Sequence, residues 1–307
     1  MFPAVSRFVF DFEFARWWEP GRESHHGSNS NANTNLHPNT NTNSNTNEIA
    51  VTDERTRLTM RILACLCLIA CASAAPRPEA SVDYAALVSA PDRSDRDKAR
   101  DQHRKPVEML QFFAPAPGMK VAEVGAGGGY STELFARAVG ATGKVFAQDT
   151  PNWAGEGLTK AWVDRLARPV MQNTQHFMRQ WDDPLPPEAS GLDAVYSVAI
   201  YHDVINEKSD VNKLNAAVFA ALKPGGSYFI IDNTAKDGSG AQEVGNLHRI
   251  DEKLVREQVQ AAGFKLAGEA QFLRNAKDTR DWNADPDAKL AQSHTHDRFA
   301  LRFVKPG

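Results

Sequence analysis

With 307 residues and a formal net charge of −3, the chain has room for one large domain or two small ones and lacks the basic excess of a nucleic-acid or anionic-membrane binder. Hydrophobic residues make up 42% of it, which excludes a wholly disordered chain, yet they are unevenly spread. All three cysteines, Cys65, Cys67 and Cys71, fall in one short segment, so everything after them folds without a disulfide and without a thiol nucleophile or metal ligand.

In chain order, the aromatic-rich stretch at residues 8–18 is too short to build a core alone. Residues 28–47 place Asn at nearly every second position with Ser and Thr between, a composition expected to stay disordered. From Met60 the chain gives one Arg, an apolar run, small residues and then Pro. That is the layout of a secretory signal peptide, with Ala72-Ser73-Ala74 as the cleavage signal before Ala75. A second reading competes: Leu68-Ile69-Ala70-Cys71 is like the lipobox of bacterial lipoproteins, which would make Cys71 a lipidated first residue. The apolar run is well short of the roughly 20 residues that span a bilayer, so no transmembrane helix is expected. Signal peptides stand at a true N-terminus. Residues 1–59 therefore read as a translated upstream extension, 60–74 as the signal, and the mature chain as periplasmic or secreted. The remainder carries a net charge of −2 and shows no basic stripe, which argues against a nucleic-acid partner.

The mature chain divides into a helical segment at 75–117 and a domain at 118–307. Residues 92–112 predict two charged helices broken at Pro106. A first strand is expected near 119–124, then a glycine loop and a helix over 132–140 closed by Gly140. A second strand ends in Asp149, a helix covers 157–171, a weak third strand covers 174–178 and a stronger fourth covers 192–201. Helix 211–226 ends in Lys-Pro-Gly-Gly and leads to a buried strand over 227–232; helix 251–264 ends near Gly263. Two late strands, near 264–273 and 298–305, have no helix pattern between them and should pair antiparallel. Alternating strands and helices predict an α/β fold with a doubly wound, mainly parallel sheet.

The glycine loop reads Val121-Ala-Glu-Val-Gly-Ala-Gly-Gly-Gly-Tyr-Ser-Thr132. A dinucleotide fingerprint needs a third glycine where Tyr130 stands, and a P-loop needs a Lys that is missing. Glu123, two residues before Gly125, suits a ligand with positive charge rather than a pyrophosphate. Asp149 sits where ribose hydroxyls are accepted in nucleotide-binding sheets. A ribose, a cationic amino-acid end and no phosphate together describe S-adenosylmethionine. Four glycines in five positions would be wasteful in a plain turn, and Asp149 could otherwise be no more than a cap.

The string VAEVGAGGG resembles the first motif of Rossmann-like S-adenosylmethionine-dependent methyltransferases, VFAQDTP their second, LDAVYS their fourth and ALKPGGSYFIID the stretch around their fifth strand. RKPVEML, GGGYST, YHD, HRID and DRFALRF are similar to a group of bacterial methyltransferases with signal peptides. The resemblance covers about residues 92–306 and implies a seven-stranded sheet with an antiparallel terminal strand. It also implies S-adenosylmethionine as cofactor, held by Glu123, Gly125, Ala126, Gly127, Gly129, Tyr130 and Asp149. The adenine contact falls among Gln180, Trp181, Asp182 and Asp183, with Asp182 preferred. The implied activity is methyl transfer to a small-molecule acceptor; the alternative is a catalytically silent binding protein for the same class of ligand.

The fourth strand runs into Tyr201-His202-Asp203, at the end of the sheet where ligands bind in open α/β folds. His202 is the candidate general base, Tyr201 a pocket wall, and Asp203 a neighbour that on extended backbone need not orient His202. His248 and Arg249, after a glycine-rich loop, are candidate lid or substrate contacts. Asp101, Arg104 and Lys105 match the bacterial group's helical motif and are candidates for the entrance, or simply a solvated face. His294 and His296 resemble half of a metal clip, but with no third ligand in view they read as a polar loop, and no metal is expected.

Overall fold

The computed structural model describes residues 82–285 and 295–307. The Asn-rich tract, the signal segment with Cys71, and His294 lie outside the described residues. Seven strands form one sheet: β1 (Lys120–Val124), β2 (Lys144–Asp149), β3 (Thr174–Met178), β4 (Leu192–Val198), β5 (Leu222–Asn233), β6 (Lys265–Ala270) and β7 (Arg298–Val304). Their spatial order is β3-β2-β1-β4-β5-β7-β6. The first five strands pair in parallel, and β7 runs antiparallel between β5 and β6. The chain works outward from β1 to β3, then returns to the other side of β1 with β4. Between β1 and β4 the winding reverses, and this is where doubly wound sheets open a ligand crevice at the carboxyl ends of their strands.

Helices cover both faces: α1 (Tyr84–Val88), α2 (Asp95–Arg104), α3 (Pro106–Phe113), α4 (Tyr130–Val139), α5 (Glu156–Leu166), α6 (Tyr201–Asn206), α7 (Val211–Ala221) and α8 (Glu252–Ala261). The break expected at Pro106 is present. Proline disfavours right-handed α geometry in the residue before it, and Lys105 there adopts φ 45° between α2 and α3. The period-two alternation of a strand assigns β1 to two cores. Val121 joins one apolar cluster, while Ala122 and Val124 join the other. In the first cluster Tyr196 stacks on Phe135 at 4.1 Å and on Phe113 at 4.9 Å, which seats α3 and α4 on the sheet.

α4 is buried nearly all round, and its buried Glu133 is held by three arginines. Of these, Arg165 also pairs with Asp97 at 2.9 Å and donates to the Gly128 carbonyl at 2.8 Å. One side chain thus fastens α2, α4 and α5 to the glycine loop.

Three expectations change. Strand β4 stops at Val198, because Ala199 turns to φ 59° and a short helix starts at Tyr201. The helix expected to reach residue 171 ends at Leu166, followed by a short 3-10 turn at Pro169–Met171. The helix expected over 211–226 ends at Ala221, and β5 begins at Leu222, taking in the Lys-Pro-Gly-Gly stretch.

Candidate functional site

A cavity of about 670 Å³ opens at the carboxyl ends of β1, β4 and β5. That volume suits a small ligand rather than a flat contact surface. The glycine loop forms one wall, α2 a second, and the start of α6 with Ala284, Asp285, His296 and Arg298 a third.

Ala126 donates its backbone N–H to the Gln148 carbonyl at 2.9 Å, and Gly127 donates to the Asp149 carboxylate at 2.7 Å. Gly125 adopts φ 71°, and a Cβ there would lie 2.6 Å from Ile200, so the protein's own packing already demands glycine. Gly127, at φ 53°, is different. A Cβ there would meet nothing within 4 Å, so its bare backbone faces open cavity.

Glu123 shares the face of β1 that points at α4 and lines the cavity floor. Both of its oxygens accept hydroxyl donors, one from Ser131 and one from Thr132. Burial pushes its carboxyl up to about 7, against the two hydroxyls and the more distant Arg104, which favour the ionised form. A carboxylate offers about four lone-pair sites, so two remain after these bonds.

Asp149 does not line the cavity. It is fully buried, and besides Gly127 it accepts from the Trp162 indole at 3.1 Å and lies 2.9 Å from His176 Nε2. Trp162 and His176 stack at 4.0 Å and cover it. Tyr130 does line the cavity, with both its hydroxyl and its ring engaged by α2. Its hydroxyl donates to Asp101 at 2.6 Å, and its ring carries the Arg104 guanidinium at 4.7 Å and that of Arg100 at 5.3 Å. Arg104 lines the cavity; Asp101 instead pairs with Arg93, and Lys105 donates to the Phe272 carbonyl.

The adenine candidates are dispersed. Gln180 and Asp183 are exposed, Asp182 faces Lys213 at 3.8 Å, and Trp181 is buried with its indole on Glu207. None of the four lines the cavity, whereas Trp153, stacked edge-on against Trp181, does.

At the far end, α6 carries His202. Its backbone N–H, an open donor in the first turn, is capped by Asp232 Oδ2 at 2.9 Å, and its Nδ1 lies 2.6 Å from Asp232 Oδ1. That contact places the Nδ1 proton toward Asp232 and leaves Nε2 for the cavity. Burial opposes charge on this imidazole, but Asp232 first, then Asp203 and Asp285, outweigh it and raise its pKa above the ordinary 6.5. Asp203 is 3.3 Å from His202 Nε2 and 3.6 Å from His248 Nδ1, and burial raises its carboxyl as well.

Tyr201, expected as a pocket wall, faces the core instead; its hydroxyl accepts from Asn215 at 2.7 Å. On a helix, successive side chains point about 100° apart, so His202 can face the cavity while its neighbour does not. Arg249 is likewise buried away from the cavity, held by Asp278 and stacked on Trp282. His296 does line it, and burial with Arg298 and Arg249 nearby drives its pKa down to about 3. Asp232, Trp153, Asp285 and Arg298 were not singled out from sequence. Asp232 had a usable signal, since it ends the strand next to β4 on the ligand-binding side of the sheet.

A family model described as protein-L-isoaspartate(D-aspartate) O-methyltransferase matches residues 84–152, the stretch from α1 to just past β2. This part of the chain is methyltransferase-like. Among solved structures, a SAM dependent methyltransferase from Aquifex aeolicus is 17% identical, covers 73% of this chain and 99% of its own, and superposes with a TM-score of 0.49. The glycopeptide N-methyltransferase MtfA, complexed with S-adenosylhomocysteine, is 16% identical over 65% of this chain and 86% of its own, with a TM-score of 0.44. Aeropyrum pernix fibrillarin with natively bound S-adenosyl-L-methionine is 11% identical over 62% of this chain and 67% of its own, with a TM-score of 0.38.

Proposed function

We propose that the chain is an S-adenosylmethionine-dependent methyltransferase acting on a small-molecule acceptor. The observation that carries this is one cavity at the winding reversal, with bare glycine backbone and a buried carboxyl at one end and His202 on a carboxylate at the other. The match of residues 84–152 to a methyltransferase family supports it from the sequence side.

In this reading Gly125 and Gly127 would hold the cofactor's amino-acid end, and the free lone pairs of Glu123 would accept from its ammonium. Asp149 is already occupied by Gly127, Trp162 and His176. Its first role is therefore to hold the loop, and ribose hydroxyls reach it only if the Trp162–His176 pair yields. Trp153 offers the adenine a flat apolar wall. Transfer itself is an in-line displacement by an acceptor lone pair at the methyl carbon as the carbon–sulfur bond breaks. Most of the rate enhancement then comes from positioning. His202 Nε2 takes the acceptor's proton, and Asp232 stabilises the imidazolium that results. The export signal read at residues 60–74 supports a periplasmic or exterior location for this activity, and N-terminal sequencing of secreted protein checks it; a mature chain retaining the Asn tract refutes it.

Calorimetry with S-adenosylmethionine and S-adenosylhomocysteine tests the main proposal. Both should bind, and His202→Ala should leave that binding within twofold while lowering turnover about 100-fold or more. Absence of binding to either ligand overturns it; tight binding with no methylated product across an acceptor panel favours a silent binding protein.

A further inference from the structure

The acceptor end of the cavity holds a group of side chains of which methyl transfer requires His202 alone. His202, Asp203 and His248 each present a ligand atom, and the three atoms lie within 4.8 Å of one another. Two of the separations are 3.3 Å and 3.6 Å. Ligands at about 2.0–2.1 Å from a tetrahedral ion stand about 3.3 Å apart, so Asp203 and the two imidazoles are within a small adjustment of coordination distance.

Each histidine also has a carboxylate on its opposite ring nitrogen. His202 Nδ1 lies 2.6 Å from Asp232, and His248 Nε2 lies 3.5 Å from Asp285. This paired arrangement is how metal-ligating imidazoles are fixed in tautomer and direction. The ion pairs that Asp203 makes among the described residues are with the two histidines rather than with Lys or Arg. His248 is held at φ 49°, a left-handed conformation uncommon outside Gly, Asn, Asp and His. Its position is fixed further by Asn233, whose amide donates to the His248 carbonyl at 2.9 Å.

We infer that His202, Asp203 and His248 form a binding site for a divalent first-row transition ion, with its open coordination position facing the cavity. Two imidazoles and one carboxylate select zinc, manganese or iron over magnesium or calcium, and the absence of cysteine after residue 71 removes the thiolate-loving metals. Three protein ligands with a remaining position is the pattern of a catalytic rather than a structural ion. Ion binding stands apart from the methyl-transfer reading; only its use rests on that reading. That use is to hold an acceptor oxygen and lower the pKa of its hydroxyl, a task His202 performs as a base when no ion is present.

The test is a Zn²⁺ titration of the chelator-stripped full chain, without S-adenosylmethionine, beside Asp203→Asn, His248→Asn and Asp232→Asn. Asparagine is chosen at His248 because it accepts the left-handed backbone. The parent should bind one more equivalent than Asp203→Asn or His248→Asn. Asp232→Asn should keep that equivalent with affinity about 10–100-fold weaker. Counting by difference removes any ion held by His25, His26 or the cysteines. Equal stoichiometry in parent and variants overturns the inference. If a variant fails to fold, paramagnetic broadening by Mn²⁺ in the parent decides. Broadening centred on the His202 and His248 rings, and weakening with distance from them, sustains the site; broadening centred elsewhere ends it. S-adenosylmethionine binding is measured separately, so loss of the ion site and loss of the methyltransferase reading are told apart.

Discussion

Replacing Glu123 with glutamine keeps the shape of the cavity floor and removes one titration. Burial carries the native carboxyl from 4.5 to about 7, while an unfolded chain returns it to its ordinary value. The sign follows directly. Below pH 4.5 the group is protonated in both states and costs nothing. Between about 4.5 and 7 the unfolded state ionises and the native state does not, so stability falls with rising pH, and above 7 the loss is constant. At about 1.4 kcal/mol per tenfold change in proton affinity, the full loss is ~3 kcal/mol. Glu123→Gln lacks this term, so urea unfolding from pH 4.5 to 8 should show the variant gaining on the parent by up to ~3 kcal/mol. Other groups with raised values, such as His202 and Asp203, contribute equally to both proteins and cancel in the difference. Ligand binding should run the opposite way. An ammonium on Glu123 favours its ionised form, so S-adenosylmethionine should bind the parent better as pH rises through 7, with proton release at neutral pH. Glutamine offers no charge, and at pH 8 the loss should be about 1.5–3 kcal/mol, roughly 10–150-fold in affinity. A stability difference that stays flat with pH refutes the raised carboxyl; unchanged affinity at pH 8 refutes the contact with the ammonium.

Gly125→Ala forces a left-handed alanine against Ile200, costing about 1–2 kcal/mol in backbone and about 1–3 in overpacking, and should lower Tm by roughly 5–15 °C. Arg165→Ala removes the ties to Gly128, Asp97 and Glu133 at once; it should cost about 3 kcal/mol and raise hydrogen exchange across 125–131, and a loss under 1 kcal/mol refutes its clamping role. Asp232→Asn should lower the His202 pKa, followed by imidazole NMR. The stability that Asp232 confers is full below pH 6.5 and fades as pH rises through the raised native value, so the deficit should be largest in acid.

The sheet was legible because buried parallel strands and amphipathic helices leave distinct periods, and glycines mark the turns between them. Strands near 119–124, 174–178 and 298–305 fell within a residue or two of β1, β3 and β7. The site was legible only where local chemistry is self-announcing, as in the glycines and the acid two residues before them. Tyr201 was misplaced because β4 gives way at Ala199 to a helix, which changes the direction of every following side chain. Asp232 stayed hidden since its partner, His202, lies thirty positions away and meets it only through the pairing of β4 with β5. Asp149 illustrates the reverse. Its position was readable, but its covering by Trp162 and His176 depends on α5 and β3, which no local pattern reports.

The helices before β1 have a consequence for how ligand affinity is set. Arg100 and Arg104 of α2 form part of the cavity wall, and Tyr130 of the glycine-loop side, lining the same cavity, carries both guanidiniums on its ring. A ligand resting between them bridges two segments that are otherwise joined by side chains alone. By reciprocity, whatever free energy it gains from α2 it returns as tighter docking of that helix. A chain trimmed to start at residue 118 would keep every strand and the whole glycine loop, yet it would meet its ligand with one jaw of a vice.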